Sequence, residues 1–386
     1  MRMSWRFFFA LFFGLGASVA TADSVASQDL INGEPASLKD VYKNDFYIGT
    51  CLGGKLTDSY SADEIGMIVK QYNAVTPENC MKPEPIHPTE ASWNWEEPDA
   101  LVQFAHNHHM VVYGHTLLWH NQTPQWFFKD GDKPASKELL LARLKTHIQT
   151  EVGRYKGKIR AWDVVNEAIT DSGIANLRKS NWHKIIGDDF IEYAFQYAHE
   201  ADPDAGLQYN DYNIETGDKF QKALWLLKKL KSENIPITSV GIQGHWLLDH
   251  VPFKDIENAI VDFSALGLKV NITELDIDVL PRRVAGGDLN EINRPGPTTR
   301  SGPLTGPALA DALKRQGAQY GQLFEIFHRH HDLIDRVTFW GADDGHSWLN
   351  GWRGKNYPLI FDRQLQPKPA FASIIDVLTN PQNSQN

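Results

Sequence analysis

Two glutamates in the sequence each lie near the end of a short β-rich run. Glu167 follows Asn166 at the end of the run 159–167, and Glu274 lies near the end of the run 269–277. A carboxyl group at the end of a buried strand is destabilising unless it is paired. When two carboxyl groups face one another, one can protonate a leaving oxygen. The other can attack the adjacent carbon, or activate a water molecule that attacks it. We therefore predict that this pair carries the chemistry of the protein.

Polar and aromatic side chains also follow most of the other β-rich runs. One such residue can be explained by a structural hydrogen-bond network, but seven of the eight run ends carry acids, amides, imidazoles or indoles. The set therefore predicts a single site assembled from strand ends. The segments are 76–82, 114–122, 162–168, 209–213, 243–246, 273–276 and 340–344.

The residues around Glu274 suggest how the pair is held. His245 and Asp276 are expected to bond to Glu274 and keep it ionised, by charge and by hydrogen bonding. Gln243 is expected beside the other glutamate, and Asn166 is suited to contact a substrate hydroxyl. A separation of about 5–5.5 Å between the two carboxyl groups would give retention of configuration and about 6.5–9.5 Å inversion. The sequence leaves both outcomes open.

The elements that position these residues alternate between strands and helices. Eight β-rich runs occur at 46–52, 74–78, 111–116, 159–167, 207–213, 239–246, 269–277 and 337–342, and the clearest helical patterns at 62–72, 137–155, 189–200, 216–232 and 309–330. Ser61 and Thr216 suit helix N-termini. Eight strands alternating with helices predict a parallel α/β sheet closed into a (β/α)8 TIM barrel of a single domain. A doubly wound open sheet is the alternative, and the polar strand ends favour the barrel.

The N-terminus has the pattern of a secretory signal peptide over residues 1–22. Arg2 and Arg6 precede an apolar stretch that ends in Ala20-Thr21-Ala22, and this stretch is too short for a membrane anchor. We expect a polar lead-in over 23–36, a catalytic domain over 37–379 and a flexible tail over 380–386. The mature protein is then secreted, to the periplasm or the medium.

The amino-acid composition indicates which classes of molecule the protein binds. The net charge of −10 argues against nucleic acid and anionic membranes, which select basic surfaces. Twelve Trp and twelve Tyr residues are many for this length, and aromatic faces are the platforms on which sugar rings stack. The chain carries no pattern that indicates a cofactor. We therefore expect a neutral carbohydrate as ligand.

Several features leave two interpretations open. Cys51 and Cys80 either form a disulfide or are two buried thiols. The stretch 281–307, rich in Gly, Pro and Arg, either shapes the cleft or becomes ordered only when substrate binds. Histidines at 106–109 and 328–331 are interpreted as solvated helix ends rather than metal ligands. Asp343 and Asp344 are interpreted as a loop network rather than a calcium site, so no metal is expected.

The motifs resemble those of the glycoside hydrolase family 10 endo-β-1,4-xylanases. The resemblance runs from about residue 37 to residue 379 and rests on six segments in the same order, namely 76–82, 114–122, 162–168, 241–246, 273–276 and 340–349. Asn-Glu-Ala, rather than Asn-Glu-Pro, favours this family over neighbouring barrel cellulases.

The resemblance implies an endo-acting, retaining xylanase, monomeric and free of cofactors, that acts on xylan and xylo-oligosaccharides. It implies that Glu167 is the acid/base and Glu274 the nucleophile. It further implies that substrate contacts come from Glu78, Asn79, Lys82, His115, Trp119, Gln122, Asn166, Tyr212, Gln243, His245, Trp340 and Trp348, with Asp276 in support. The alternatives are a β-glucanase or mixed xylanase/cellulase, and a non-catalytic xylan-binding barrel.

Overall fold

The computed structural model describes residues 30–31, 34–35, 37–280 and 304–380. The predicted signal peptide, most of the lead-in, residues 281–303 of the long loop and residues 381–386 of the tail lie outside this part of the chain. Predictions on those segments therefore stay predictions. Among the described residues, no helix is long and apolar enough to cross a membrane.

Eight parallel strands form a closed barrel. Each strand pairs with the next along the chain, β6 pairs with β7, and β8 returns to pair with β1. The prediction of a closed (β/α)8 barrel is confirmed, and the open sheet is excluded. The strands are β1 Tyr47–Leu52, β2 Ala74–Pro77, β3 Val111–Leu118, β4 Ile159–Asn166, β5 Gly206–Asp211, β6 Ser239–Ile242, β7 Lys269–Asp278 and β8 Ile334–Phe339.

Eight long helices follow the strands and cover the outside of the barrel. All five segments predicted as helices are helical, and the last begins slightly earlier than expected. The helices are α1 Ala62–Gln71, α2 Glu96–Asn107, α3 Lys137–Arg154, α4 Phe190–Ala201, α5 Gly217–Ser232, α6 Phe253–Ser264, α7 Gly306–Arg329 and α8 Pro369–Thr379. Short helices occupy Leu38–Val41, Leu56–Ser59, Pro83–Ile86, Asn181–Ile186 and Leu349–Arg353.

The two predicted helix starts differ in how they are capped. Ser61 forms a full capping box with Glu64, in which each side chain bonds the backbone N–H of the other residue. Thr216 precedes α5, but its hydroxyl donates to Asp255 (3.2 Å) and does not cap the helix. Tertiary contact with α6 therefore replaces the local cap at α5.

The barrel interior contains a buried polar layer below the strand ends. Asn271 donates to Gln208 (2.6 Å), and Gln208 donates to Asp163 (2.5 Å). Arg336 lies 3.5 Å from the same carboxylate and donates to Thr76 (2.9 Å). Because buried polar groups are stable only when they are bonded, this layer holds β2, β4, β5, β7 and β8 in one register beneath the site.

Candidate active site

The strand ends surround one cavity of about 360 Å³ at the C-terminal mouth of the barrel. Both predicted catalytic residues and all twelve predicted substrate-binding residues line it. Asp276 is not among the lining residues and lies behind the wall. The lining also includes His120, Asn121 and Arg178, which the sequence interpretation did not single out.

The backbone after β4 turns sharply at Glu167. Glu167 adopts the left-handed conformation with φ of +54°, which is unfavourable for a side-chain-bearing residue and persists only where contacts enforce it. Its N–H donates to the Asn210 carbonyl (2.9 Å), and the next two N–H groups, of Ala168 and Ile169, both donate to Tyr209 Oη (3.0 Å each). Strand β5 thereby fixes the direction in which Glu167 leaves β4.

Two donors fix the Glu167 carboxyl group. Gln243 Nε2 donates to Oε1 (3.1 Å), and Trp119 Nε1 donates to Oε2 (2.9 Å). The expectation that Gln243 lies beside Glu167 is therefore confirmed. The neighbouring amide of Asn166 satisfies its surroundings best with its nitrogen donating to the Asn210 carbonyl (3.2 Å) and its oxygen accepting from Trp119 (3.3 Å).

Glu274 is buried on β7 and contacts a donor on each oxygen. Asn210 Nδ2 donates to Oε1 (2.7 Å), and His245 Nε2 lies 3.0 Å from Oε2. The other nitrogen of His245 lies 3.1 Å from Asp276 Oδ2, which also accepts from Trp348 Nε1 (2.8 Å). The expectation that Asp276 bonds to Glu274 is thus corrected, because Asp276 contacts His245 and acts on Glu274 only through that ring.

These contacts determine the charge of the pair. Burial alone would raise the pKa of Glu274, but the hydrogen bond from His245 and the nearby positive charge hold that pKa below its ordinary value. Burial lowers the pKa of His245, but the charge of Asp276 and the close contacts with both carboxylates outweigh this effect and raise the pKa to about 10. His245 is therefore a buried cation at neutral pH, and Glu274 is ionised.

One side of the cavity is formed by residues after β2. Lys82 Nζ donates to Asn79 Oδ1 (3.0 Å) and lies 4.9 Å from the centre of the Trp119 ring. Burial raises the pKa of Glu78 and lowers that of Lys82, while the charge of each opposes the shift in the other. A Cβ at position 53 would overlap the Glu78 carboxylate, so any other residue there would require that carboxylate to shift.

The opposite side is formed by Tyr212 and an ionic network around it. Tyr212 Oη donates to Asp171 (2.6 Å) and accepts from Arg178 (3.2 Å). Lys219 lies 3.4 Å from the centre of the Tyr212 ring and pairs with Asp171 (3.2 Å) and Asp211 (2.7 Å). The position of this wall is therefore set by charged residues from three separate segments of the chain.

The sequence interpretation did not include two residues that contact the Glu167–Glu274 pair. Asn210 lies in the polar strand end 209–213, and that polarity is the available signal, but the family resemblance points to Tyr212 in this segment and not to Asn210. Arg178 donates to the Glu167 carbonyl (3.2 Å) from an irregular loop, where no periodicity marks it. Only the folded chain brings it to the site.

The structure also bears on the two cysteines and on the pair Asp343 and Asp344. Cys51 and Cys80 are both free and buried, so the disulfide alternative is wrong. Burial raises the pKa of Cys80 to about 12, which makes it an unreactive thiol. Asp343 bonds to His346 (2.7 Å) and Asp344 pairs with Lys368 (3.1 Å), in agreement with a loop network.

A closed (β/α)8 barrel with two carboxyl groups and several indoles at one mouth defines the class of barrel glycoside hydrolases. Comparison with known proteins agrees. Residues 37–377 match the family described as Glycosyl hydrolase family 10, and the chain belongs to that family.

Two named relatives and one solved structure are similar to this chain over nearly their whole length, and a third relative is similar over part of its length. The chain is 42% identical to Endo-1,4-beta-xylanase A of Xylanibacter ruminicola, with 88% of this chain and 92% of the relative covered. It is 43% identical to Beta-1,4-xylanase of Dictyoglomus thermophilum, with 89% and 91% covered. A GH10 endoxylanase from a sugarcane soil metagenome has a TM-score of 0.82 at 41% identity, with 88% of this chain and all of that chain covered. Exoglucanase XynX of Acetivibrio thermocellus is 40% identical over 91% of this chain and 30% of the relative.

Proposed function

We propose that this protein hydrolyses internal β-1,4-xylosidic bonds of xylan with retention of configuration, using Glu167 as acid/base and Glu274 as nucleophile. The observation that carries the proposal is the difference between the two carboxyl groups. Glu274 accepts from Asn210 and contacts the cationic His245, which favours a carboxylate. Among the described residues, the carboxyl group of Glu167 accepts hydrogen bonds from Gln243 and Trp119, which are neutral donors, so it lacks the cationic contact that Glu274 has.

In the first step, Glu167 gives its proton to the glycosidic oxygen while Glu274 attacks the anomeric carbon. The C–O bond to the leaving sugar breaks, the leaving sugar departs as an alcohol, and an ester bond forms between Glu274 and the remaining xylose. Asn210 and His245 bind the Glu274 carboxylate before the attack, so their contacts also set its orientation.

In the second step, water enters where the leaving sugar was. Glu167, now a carboxylate, takes a proton from the water as the water oxygen attacks the anomeric carbon. The ester bond breaks and Glu274 leaves as a carboxylate. Two displacements at the same carbon restore the β configuration.

Substrate contacts are assigned to the lining residues on both sides of this pair. We propose that Glu78, Asn79 and Lys82 bind the xylose one unit beyond the unit that is attacked, on the side away from the leaving group. Tyr212 is assigned to the first unit of the leaving side. Eight further lining residues are assigned to the unit that is attacked and its neighbour, namely His115, Trp119, Gln122, Asn166, Gln243, His245, Trp340 and Trp348.

Proton NMR of xylohexaose during early hydrolysis tests the proposal. Internal cleavage with β-configured new reducing ends, observed before mutarotation, is the expected result. Products that start as the α anomer would contradict the assignment of Glu274 as nucleophile. Release of single terminal units would contradict endo action.

A β-1,4-glucanase activity is the second candidate, since one similar relative carries the name exoglucanase. The residues around Lys82 are proposed to pack closely around xylose, so the extra hydroxymethyl group of glucose should be crowded. Initial rates on xylotetraose and cellotetraose under identical conditions compare the two. We expect the xylose substrate to be preferred, and equal kcat/KM values would favour a mixed specificity.

We further propose that the protein is exported after cleavage behind Ala22 and acts as a monomer. N-terminal sequencing of the protein recovered from a secreting host tests the cleavage, and light scattering after gel filtration tests the mass. An intact N-terminus or a dimer mass would contradict the respective proposal.

A further inference from the structure

His346 occupies the loop after β8, between the two tryptophans of the cavity wall. Its Nδ1 lies 2.7 Å from Asp343 Oδ2, and its Nε2 lies 3.1 Å from the carbonyl oxygen of Ser59. Both partners can only accept, so both ring nitrogens must donate, and the ring is an imidazolium. The ring also stacks on Tyr60, with centroids 4.4 Å apart and planes 18° apart.

Tyr60 links this contact to the side of the cavity that is formed by residues after β2. Its hydroxyl accepts from the backbone N–H of Gly53 (3.0 Å). Gly53 lies directly against Glu78, because any Cβ at this position would overlap the Glu78 carboxylate. A movement of Tyr60 would therefore shift the backbone at Gly53, which packs against the Glu78 side chain.

Asp343 links the same ring to the tryptophans. Its other oxygen accepts from Gly345 N (2.6 Å), so the carboxylate also holds the turn that precedes His346. Trp340, at the start of this loop, donates its backbone N–H to Leu275 (3.1 Å), and Trp348 bonds to Asp276 at the end of it. The loop after β8 thus presents two indoles to the cavity and touches the loop after β1 through His346.

We propose that His346 is a positioning residue that links the loop after β1 to the loop after β8, and thereby holds Glu78 in register with Trp340 and Trp348. The inference rests on the proposed function, since it concerns binding of the sugar before the cleaved unit. His346 does not line the cavity, so its effect is exerted through Tyr60, Gly53 and the two loops.

Charges from three segments face the ring. Asp343 lies in its own loop, Glu64 on α1 has an oxygen 3.7 Å from Nδ1, and Glu78 on the loop after β2 interacts with its charge, while Tyr60 covers one face. The hydrogen bond to Asp343 raises the pKa of His346 to about 9 against the opposing effect of burial. The link is therefore complete at neutral pH and is lost as pH rises through about 9.

Steady-state kinetics on two aryl substrates test this role. 4-Nitrophenyl β-xylobioside places a second sugar beside Glu78, whereas 4-nitrophenyl β-xyloside does not. We expect His346→Phe, which retains an aromatic ring against Tyr60 but removes both donors, to raise KM for the xylobioside roughly tenfold, as expected for loss of a charge-assisted hydrogen bond. The kcat for this substrate and both constants for the xyloside should change by less than about twofold.

Two further measurements separate positioning from a general loss of structure. KM of the unmodified enzyme for the xylobioside should rise between pH 8 and pH 10, and this rise should be absent in His346→Phe. His346→Gln, which retains one donor, should lie between the two enzymes in KM. His330→Gln, which removes an ion pair to Glu257 on α6, is the matched control and should leave both constants unchanged.

The outcomes are distinct. An unchanged KM in His346→Phe, or an equal loss on both substrates, overturns the inference. If His346→Phe does not fold, a flat KM between pH 8 and pH 10 in the unmodified enzyme overturns it equally. Absence of xylohexaose hydrolysis by the unmodified enzyme would instead contradict the proposed function.

Discussion

The imidazole of His245 lies 3.0 Å from the Glu274 carboxylate, and the opposite nitrogen lies against Asp276. A cation between two carboxylates lets Glu274 stay ionised at a depth where burial alone would favour its protonated form. The contact with Asp276 favours the cationic form of the His245 ring. Asp276 therefore lowers the pKa of Glu274 although it does not line the cavity itself.

Asp276→Asn should move the acid limb of the pH–rate profile to higher pH. Glu274 has a depressed pKa, so activity is present above that value and is lost as pH falls through it. Without the Asp276 charge, the pKa of His245 falls and less positive charge lies beside Glu274. The pKa of Glu274 therefore rises. We expect the acid midpoint of kcat/KM to rise by roughly one pH unit, about 1.4 kcal/mol of lost charge stabilisation.

Asp188→Asn is the control for this change, since Asp188 is largely exposed and pairs only with His183 among the contacts described. Its profile should match that of the unmodified enzyme. An unshifted acid limb in Asp276→Asn would contradict the role of the His245–Asp276 contact.

Glu167→Gln and Glu274→Gln should differ on a substrate whose leaving group needs no proton. On xylan, Glu167→Gln should lose about 10²–10⁴-fold in kcat because the leaving oxygen is no longer protonated. On 2,4-dinitrophenyl β-xylobioside, its first step should survive and give a burst of dinitrophenol. Glu274→Gln should give no burst, because no ester bond can form. A burst from Glu274→Gln would reverse the two roles.

Glu151→Met should stabilise the protein at alkaline pH. Within the described part of the chain, neither side-chain oxygen of the buried Glu151 has a hydrogen-bond partner, and burial raises its pKa. The folded state therefore keeps a proton that the unfolded state releases, so the stability contribution of Glu151 falls as pH rises from the ordinary pKa of a glutamate toward the raised folded pKa. We expect the free energy of unfolding at pH 8 to rise by ~1–3 kcal/mol, and by less at pH 4.

Urea unfolding at the two pH values measures this difference. Glu325→Met, at an exposed position on α7, is the matched control and should change stability by less than about 0.5 kcal/mol at either pH. A loss of stability in Glu151→Met at pH 8 would indicate that the carboxyl group has a stabilising role.

Gly53→Ala should weaken binding of the second sugar with little change in the chemical step. The added methyl group would overlap the Glu78 carboxylate and displace it. We expect KM for 4-nitrophenyl β-xylobioside to rise roughly tenfold, the equivalent of about 1.4 kcal/mol. Gly66→Ala on α1 has no atom within 4 Å of the new methyl group and should leave KM unchanged. Equal kinetics for the two variants would contradict the steric argument.

The sequence alone predicts the order of strands and helices and the proximity of Glu167 and Glu274. Strand and helix periodicities differ, so the eight runs and the helices between them are encoded locally. Each of the eight runs overlaps a barrel strand, although the run 239–246 overlaps two strands, Ser239–Ile242 and His245–Leu247, and the last strand is Ile334–Phe339 rather than 337–342. Parallel strands bring their carboxyl ends to one mouth. This is why Glu167 and Glu274 were identified as neighbours although they are far apart in sequence.

Tertiary structure alone decided which polar atoms pair. Thr273 donates to Asn210 Oδ1 (2.6 Å), which turns the amide nitrogen toward Glu274, and no local pattern encodes that orientation. The same holds for Arg178 reaching the Glu167 carbonyl from a loop, and for Asp276 acting through His245. Sequence periodicity specifies which face of an element is buried, whereas the ionisation of a buried acid depends on donors a few ångströms away on other strands, and only the closed barrel fixes those distances.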